Sequence, residues 1–123
     1  MRDDGATPLG ILASGVASFL AVMKSCGKAD GGLLSYLEPG HTLALDIPWH
    51  GSDAHMRELS RAFDEILLRH GGRIYLAKDA LMTAETFRKM YPRLEEFQRV
   101  RKRADPSGRF SSALGRRLGI VDA

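Results

Sequence analysis

An amphipathic pattern between Ser52 and Gly72 constrains the fold more than any other feature of the chain. Its apolar residues recur at the three- and four-residue spacing of one helix face, in the order Met56, Leu59, Phe63, Ile66 and Leu67. Ser52 or Asp53 can accept hydrogen bonds from the first backbone N–H groups, and the glycines at 71 and 72 end the pattern. The sequence therefore predicts one long helix whose apolar face must be covered by another layer.

Two segments that flank this helix have the two-residue alternation of β-strands. In His41–Ile47 apolar residues alternate with small or polar ones until Pro48 ends the run, and Arg73–Ala77 alternates over a shorter length. The lengths permit a parallel crossover, and they equally permit an antiparallel sheet with the helix lying across one face.

The residue pattern before these segments predicts a helix followed by a loop. Val16, Phe19, Leu20 and Met23 recur at helical spacing, and a glycine at 27 can end that helix. The stretch Cys26–Gly40 is rich in glycine and closes with a Pro-Gly pair, which is typical of a loop.

After Lys78 the pattern changes to short helices separated by turns. Thr83 is placed to cap a helix that runs toward Met90, and Pro92 is placed to start another. Asp105–Gly108 has the composition of a β-turn, and Ser111 can cap a last short helix.

Length and composition indicate one small domain. The chain has 123 residues, and its 44% apolar content can form a modest core. Cys26 is the single cysteine, so a disulfide within the chain and a cysteine-rich zinc site are excluded, and a reducing, cytoplasmic setting is expected. The longest apolar run, near Gly10–Met23, is shorter than the roughly 20 residues of a spanning helix, so no membrane span is expected.

Positive charge is concentrated near the carboxyl end. The net charge is +3, and the segment Arg99–Arg117 holds seven basic residues against one acid, Asp105. Such a tail can follow the phosphates of a nucleic acid or of a cofactor, or it can be the solvated face of a helix. A small nucleic-acid-binding module is an alternative, but no recognition helix, zinc site or stacking strand accompanies the charge.

Three motifs in the second half of the chain carry a family resemblance. They are GGRIYLAKDA at Gly71–Ala80, MYPRLEEF at Met90–Phe97 and DPSGRF at Asp105–Phe110. In this order they resemble the carboxyl-terminal part of FAD-linked oxidases of the vanillyl-alcohol oxidase type, which include aldonolactone oxidases and decaprenylphosphoryl-ribose oxidases. The earlier segments Ser18–Lys28 and Gly32–Pro48 look most similar to the decaprenylphosphoryl-ribose branch.

The resemblance implies a fold and a division of the chain. The expected fold class is α+β: a fragment of an antiparallel substrate-domain (cap) sheet with a crossing helix, followed by short carboxyl-terminal helices. Residues 1–77 would form a partial substrate-binding cap domain. Residues 78–123 would form a helical segment that packs on the FAD domain in the intact family.

The resemblance also implies a function. The chain would be the carboxyl-terminal fragment or a subunit of an FAD-dependent oxidoreductase that acts on a sugar or a sugar-derived alcohol. Because the motifs of the amino-terminal FAD-binding domain are not in the sequence, the chain alone is not expected to retain FAD or to be active, and a separate FAD-binding domain or chain would be its partner. A structural or interaction domain is the other alternative.

Lys78 is the expected catalytic residue, and Tyr75 and Lys78 are the expected cofactor-binding residues. The resemblance places the lysine against the flavin, where a fixed ammonium would stabilise the negative charge of the reduced ring. It places Tyr75 in contact with flavin or substrate. Ala44 stands where the most similar branch has a cysteine, so thiol chemistry is not available at that position.

The histidines have no spacing typical of a metal site, and no metal is expected. Self-association into a homo-oligomer is expected, because the sheet edge would be open and apolar residues of the tail would lack the cover of a flavin domain. Phe87, Met90, Leu94, Phe97 and Leu114 are the tail residues concerned.

Overall fold

The computed structural model describes residues 18–36, 38–49 and 51–121, and in these it has mixed α+β architecture. Strands β1 (Leu20–Cys26) and β2 (Gly40–Asp46) form a two-stranded antiparallel sheet. The long helix α1 follows, and then come a 3-10 turn at Leu76–Lys78 and three shorter helices. The helices are α1 (Asp53–Arg69), α2 (Ala84–Met90), α3 (Leu94–Ala104) and α4 (Ala113–Arg117). The predicted fold class is confirmed.

The predicted first helix is wrong, because Leu20–Cys26 is a strand. Phe19, Leu20 and Met23 fit a helical spacing, but over so short a run the spacing does not separate a helix from a strand. The segment is a strand because it pairs with β2, and Met23 lies opposite Leu43 in that pairing. Val16 lies outside the described residues.

Strand β2 forms where alternation predicted a strand, but it begins and ends one residue earlier than predicted. The segment between the two strands is the predicted glycine-rich loop, in which Gly31 has a φ of 80°. A side chain at that position would be strained, so glycine is required there.

Helix α1 has the predicted bounds and caps. The Ser52 hydroxyl accepts a hydrogen bond from the His55 N–H at 3.2 Å. At the other end the Gly72 N–H donates to the Leu67 carbonyl at 2.7 Å, and Gly71 has a φ of 68°. These bonds satisfy backbone groups that a helix end leaves without partners.

The predicted strand at Arg73–Ala77 does not form. Residues 72–75 are irregular and Leu76–Lys78 is a 3-10 turn. The Ile74 carbonyl accepts a hydrogen bond from the Tyr91 hydroxyl at 2.7 Å, so a core side chain takes the bond that a neighbouring strand would have made. The parallel crossover is therefore wrong, and the antiparallel partner of β2 is β1.

The short carboxyl-terminal helices follow the prediction with one correction. The Thr83 hydroxyl caps α2 by accepting from the Thr86 N–H at 3.1 Å, and the Gly108 N–H donates to the Asp105 carbonyl in the predicted turn. Ser112, not Ser111, caps α4, since its hydroxyl accepts from the Gly115 N–H at 3.0 Å.

The core lies in the carboxyl-terminal half. Its buried members are Met82, Phe87, Met90, Tyr91, Leu94 and Leu118. Apolar side chains from both sides of residue 77 pack against them, including Leu67 from α1 and Leu34 from the loop. The expectation that Phe87, Met90 and Leu94 lack cover is wrong, because this chain buries them itself. Among the helices of the described ranges, none is long and apolar enough to cross a membrane.

Candidate functional site

Lys78 ends the 3-10 turn and extends its side chain into solvent. Its backbone N–H donates to the Tyr75 carbonyl at 3.1 Å. Its side chain is 67% exposed, and Nζ lies 3.9 Å from Oδ1 of Asp46 at the end of β2. The expected catalytic residue is therefore accessible and lies next to the sheet.

Tyr75 pairs with an aromatic residue that the sequence reasoning missed. The rings of Tyr75 and Tyr36 are 5.2 Å apart between centroids and tilted by 50°. Burial raises the pKa of the Tyr36 hydroxyl, while a hydrogen bond with Thr42 opposes that change. Tyr36 is 39 positions from its partner in sequence, so no local pattern could have joined the two.

Two arginines hold the loop that carries Tyr36. Arg73 donates from Nη1 to the Ser35 carbonyl at 2.7 Å and pairs with Glu38 at 2.8 Å. The same guanidinium lies 5.5 Å from the centre of the buried Tyr91 ring. Arg93 donates to the Gly31 carbonyl at 3.0 Å. The loop is thus fixed to the core at two points, and this fixes Tyr36 beside Tyr75.

One face of the sheet completes the site. Residues paired in the register share a face, and successive residues alternate between faces. Lys24, Thr42, Ala44 and Asp46 therefore lie on one face, which we call the site face. Thr42 contacts Tyr36 and Asp46 contacts Lys78, so the site face is directed toward the segment 75–78. Ala44 lies on the same face, between Thr42 and Asp46.

This arrangement has a definite chemical capability. It combines an exposed ammonium, two aromatic rings in contact and the small side chain of Ala44. Such a surface can bind a planar group that carries negative charge on one edge, because the ammonium attracts the charge and the rings offer apolar contact.

The histidines do not converge. The Nδ1 of His41 lies 3.3 Å from the Ser25 hydroxyl on the face of the sheet opposite the site face. In the part of the chain that the structure describes, no three histidine, cysteine or acidic side chains are grouped so that they could hold a metal ion. His50 lies outside the described residues.

Part of the basic tail stabilises the fold. Arg117 donates to the Met82 carbonyl and pairs with Asp79 at 2.7 Å, and Arg101 donates to the Phe110 carbonyl at 2.7 Å. Backbone N–H groups of the following turn, with Phe110 first, hold the pKa of Asp105 below its ordinary value. These arginines bind within the chain and are not free for an external phosphate.

Comparison with known proteins assigns the family. A family model for D-arabinono-1,4-lactone oxidase matches residues 25–118, which include all the site residues named above except Lys24. The chain is 42% identical over 108 residues to decaprenylphosphoryl-β-D-ribose oxidase of Mycolicibacterium smegmatis, which covers 88% of this chain and 23% of that protein. It is 34% identical over 64 residues to L-gulonolactone oxidase of Bos taurus, which covers 52% of this chain and 14% of that protein.

A third relative is an uncharacterized protein of Streptomyces coelicolor, 35% identical over 106 residues, which cover 86% of this chain and 28% of that protein. The chain thus spans about a quarter or less of the length of these relatives. The resemblance to FAD-linked oxidases of the aldonolactone type is confirmed. The chain belongs to the D-arabinono-1,4-lactone oxidase family.

Proposed function

We propose that this chain forms the carboxyl-terminal part of an FAD-dependent oxidoreductase that oxidises a sugar or a sugar-derived alcohol. The observation that carries the proposal is the exposed Lys78 ammonium, three residues after Tyr75, whose ring contacts that of Tyr36. All three residues lie within the segment that matches the family. The substrate class is supported by the names of the relatives, which act on a decaprenylphosphoryl ribose or on a sugar lactone.

The residues present fit one edge of a flavin. FAD, when bound, would take up the electrons that the alcohol carbon loses. The Lys78 ammonium would lie at the edge where reduction adds negative charge, and Tyr75 would contact the ring or the substrate. Because the ion pair that Lys78 makes among the described residues is long and exposed, its ammonium is available to a ligand.

The remainder of the FAD site would come from a separate domain or chain. We assign residues 1–77 to a partial substrate-binding cap and residues 78–123 to the helical segment that packs on the FAD domain. In this proposal the isolated chain holds no stoichiometric FAD and has no oxidase activity, and it acts in the cytoplasm.

A chimaera tests the proposal directly. The matching segment of the Mycolicibacterium smegmatis relative is replaced by this chain, and oxidation of decaprenylphosphoryl ribose and flavin content are measured. We expect bound flavin and measurable turnover in the chimaera, and neither in the isolated chain. A chimaera that folds and binds flavin but gives no substrate-dependent flavin reduction would contradict the proposed substrate class.

The structure weakens the case for the nucleic-acid alternative. Three of the seven tail cations, Arg101, Arg116 and Arg117, already donate to groups of this chain. Binding to DNA that weakens steeply as salt rises would favour that alternative, and we expect no such binding at physiological salt.

A further inference from the structure

We propose that Asp46 is a positioning residue for Lys78: its carboxylate, at the end of strand β2, orients the lysine ammonium over the site face. The inference rests on the proposed function for the role of Lys78 toward flavin. The pairing itself rests on the contact between the two side chains.

The backbone at Lys78 is fixed, but its side chain is not. The 3-10 turn is closed by the bond from the Lys78 N–H to the Tyr75 carbonyl. The next residue, Asp79, accepts from the backbone N–H groups of Leu81 and Met82 at 3.0 and 2.9 Å, which anchors the chain just beyond the turn. The lysine stem has four carbons and many rotamers, so the position of its ammonium needs a further contact.

Asp46 is the carboxylate available to make this contact. Asp79 is adjacent in sequence, but Oδ1 accepts from two backbone N–H groups and Oδ2 pairs with Arg117 at 2.7 Å. Asp46 stands on a strand whose register fixes it opposite Leu20, and its Oδ1 lies 3.9 Å from Nζ. A strand therefore carries the anion and a closed turn carries the cation.

The strength of the pair suits positioning. Both side chains are partly exposed, at 67% for the lysine and 44% for the aspartate, so solvent weakens their attraction. A weak ion pair biases the position of the ammonium toward the sheet without using all of its hydrogen-bonding capacity. The ammonium has three N–H donors. Donors therefore remain for an anionic group of a ligand.

The test measures the order of the ammonium group in the full chain, without flavin. ¹⁵N relaxation of the lysine ammonium groups is compared between the wild type and Asp46→Asn. We expect the order of the Lys78 ammonium to fall to that of Lys28, which has no ion-pair partner among the described residues. Lys89, paired with Glu85 at 2.7 Å, serves as the internal reference and should not change.

Three controls make the result specific. Asp46→Glu should retain most of the order, and Asp53→Asn, which removes an exposed carboxylate elsewhere, should leave it unchanged. Raising salt in the wild type should lower the order at Lys78, and this measurement needs no variant, so it decides even if Asp46→Asn folds poorly. An ammonium equally ordered in the wild type and in Asp46→Asn, or insensitive to salt, overturns the inference.

A second arm separates this inference from the proposed function. In the chimaera, Asp46→Asn should change the flavin potential differently with Lys78 present than in a Lys78→Met background, where only the direct effect of removing the carboxylate charge, a rise in potential, remains. With Lys78 present, loss of the positioned ammonium should make that rise smaller or reverse it. If the ammonium loses order in Asp46→Asn and Lys78→Met does not move the potential, the two residues pair but the pair has no role toward flavin. That result refutes the positioning role together with the proposed role of Lys78.

Discussion

Replacing Asp64 with Asn should stabilise the protein at neutral pH. Asp64 lies on α1, is 4% exposed, and Oδ1 has no hydrogen-bond partner among the described residues. Burial raises the pKa of this carboxyl above its ordinary value, and the charge of Asp79 adds to the rise, while a hydrogen bond with Thr86 opposes it. The carboxylate is therefore an unfavourable charge in the folded state.

The sign of the pH dependence follows from the raised pKa. A carboxyl whose pKa is higher in the folded than in the unfolded chain contributes stability below the unfolded value of 3.8, and this contribution is lost as pH rises through the folded value. Above that pH the folded state bears the cost of the buried charge. Asn has the same shape and no charge, so it removes the cost.

The size of the stability gain in Asp64→Asn depends on two free-energy terms. Each pKa unit between the folded and unfolded states corresponds to about 1.4 kcal/mol. The amide nitrogen of Asn is itself a buried donor in need of a partner, and such a group costs about 1–3 kcal/mol, as the unpaired oxygen does now. Because this second term is present in both proteins, the gain at pH 7 is the extra cost of an unsatisfied charged group over an unsatisfied neutral one, on the order of 1 kcal/mol. A gain of that size would raise Tm by roughly 4 °C.

Urea unfolding followed by circular dichroism between pH 3.5 and pH 8 measures the effect. The difference in unfolding free energy between Asp64→Asn and the wild type should be small at the acid end and should grow as pH rises. Glu58→Gln, at an exposed position inside the same helix, is the matched control, and its difference should stay near zero. A difference that is independent of pH, or a variant less stable at pH 8 than at pH 4 relative to wild type, would refute the reasoning.

Four further outcomes are expected. In the chimaera, Lys78→Met should reduce flavin-dependent turnover at least tenfold, equivalent to about 1.4 kcal/mol of barrier, while Lys89→Met leaves it unchanged. Arg117→Leu should destabilise the chain by roughly 1–3 kcal/mol in urea unfolding, since it leaves the Met82 carbonyl without its donor and Oδ2 of Asp79 without its ion-pair partner. Asp105→Asn should destabilise the protein most above the unfolded pKa of 3.8, and its deficit should shrink as pH falls from there through the lower folded pKa. The chain should form a dimer or larger species in sedimentation at micromolar concentration, and Met23→Lys, at a side chain 70% exposed on the sheet, should shift it toward monomer.

Local signals predicted the helices that follow residue 52. Ser52 and Thr83 were identifiable as caps because a cap depends on a side chain and a backbone group only three residues apart. The apolar face of α1 was identifiable because seventeen residues give the helical period enough repeats. These features depend on sequence neighbours alone.

The errors came from segments whose conformation depends on distant partners. Leu20–Cys26 is a strand because β2 lies beside it, and Arg73–Tyr75 is irregular because the hydroxyl of Tyr91 takes the Ile74 carbonyl. Tyr36 could not be assigned to the site, since its place is set by the anchoring of its loop through Arg73. Lys78 and Tyr75 were named through the family resemblance; in the structure Tyr75 contacts Tyr36, and Lys78 contacts Asp46.

The candidate site lies where a well-packed part of the chain meets a thinly covered one. The segment 75–79 is anchored to the buried core through Ile74 and, by way of Arg117, through Asp79. The site face belongs to a sheet in which Leu20, Met23 and Leu43 are 50%, 70% and 54% exposed. One half of the site is therefore held by the chain itself, whereas the other half depends on whatever covers the sheet. Binding of a partner to the sheet should therefore order Asp46 and the site face before it affects Tyr75 or Lys78. Hydrogen exchange resolved by residue can measure which part responds first.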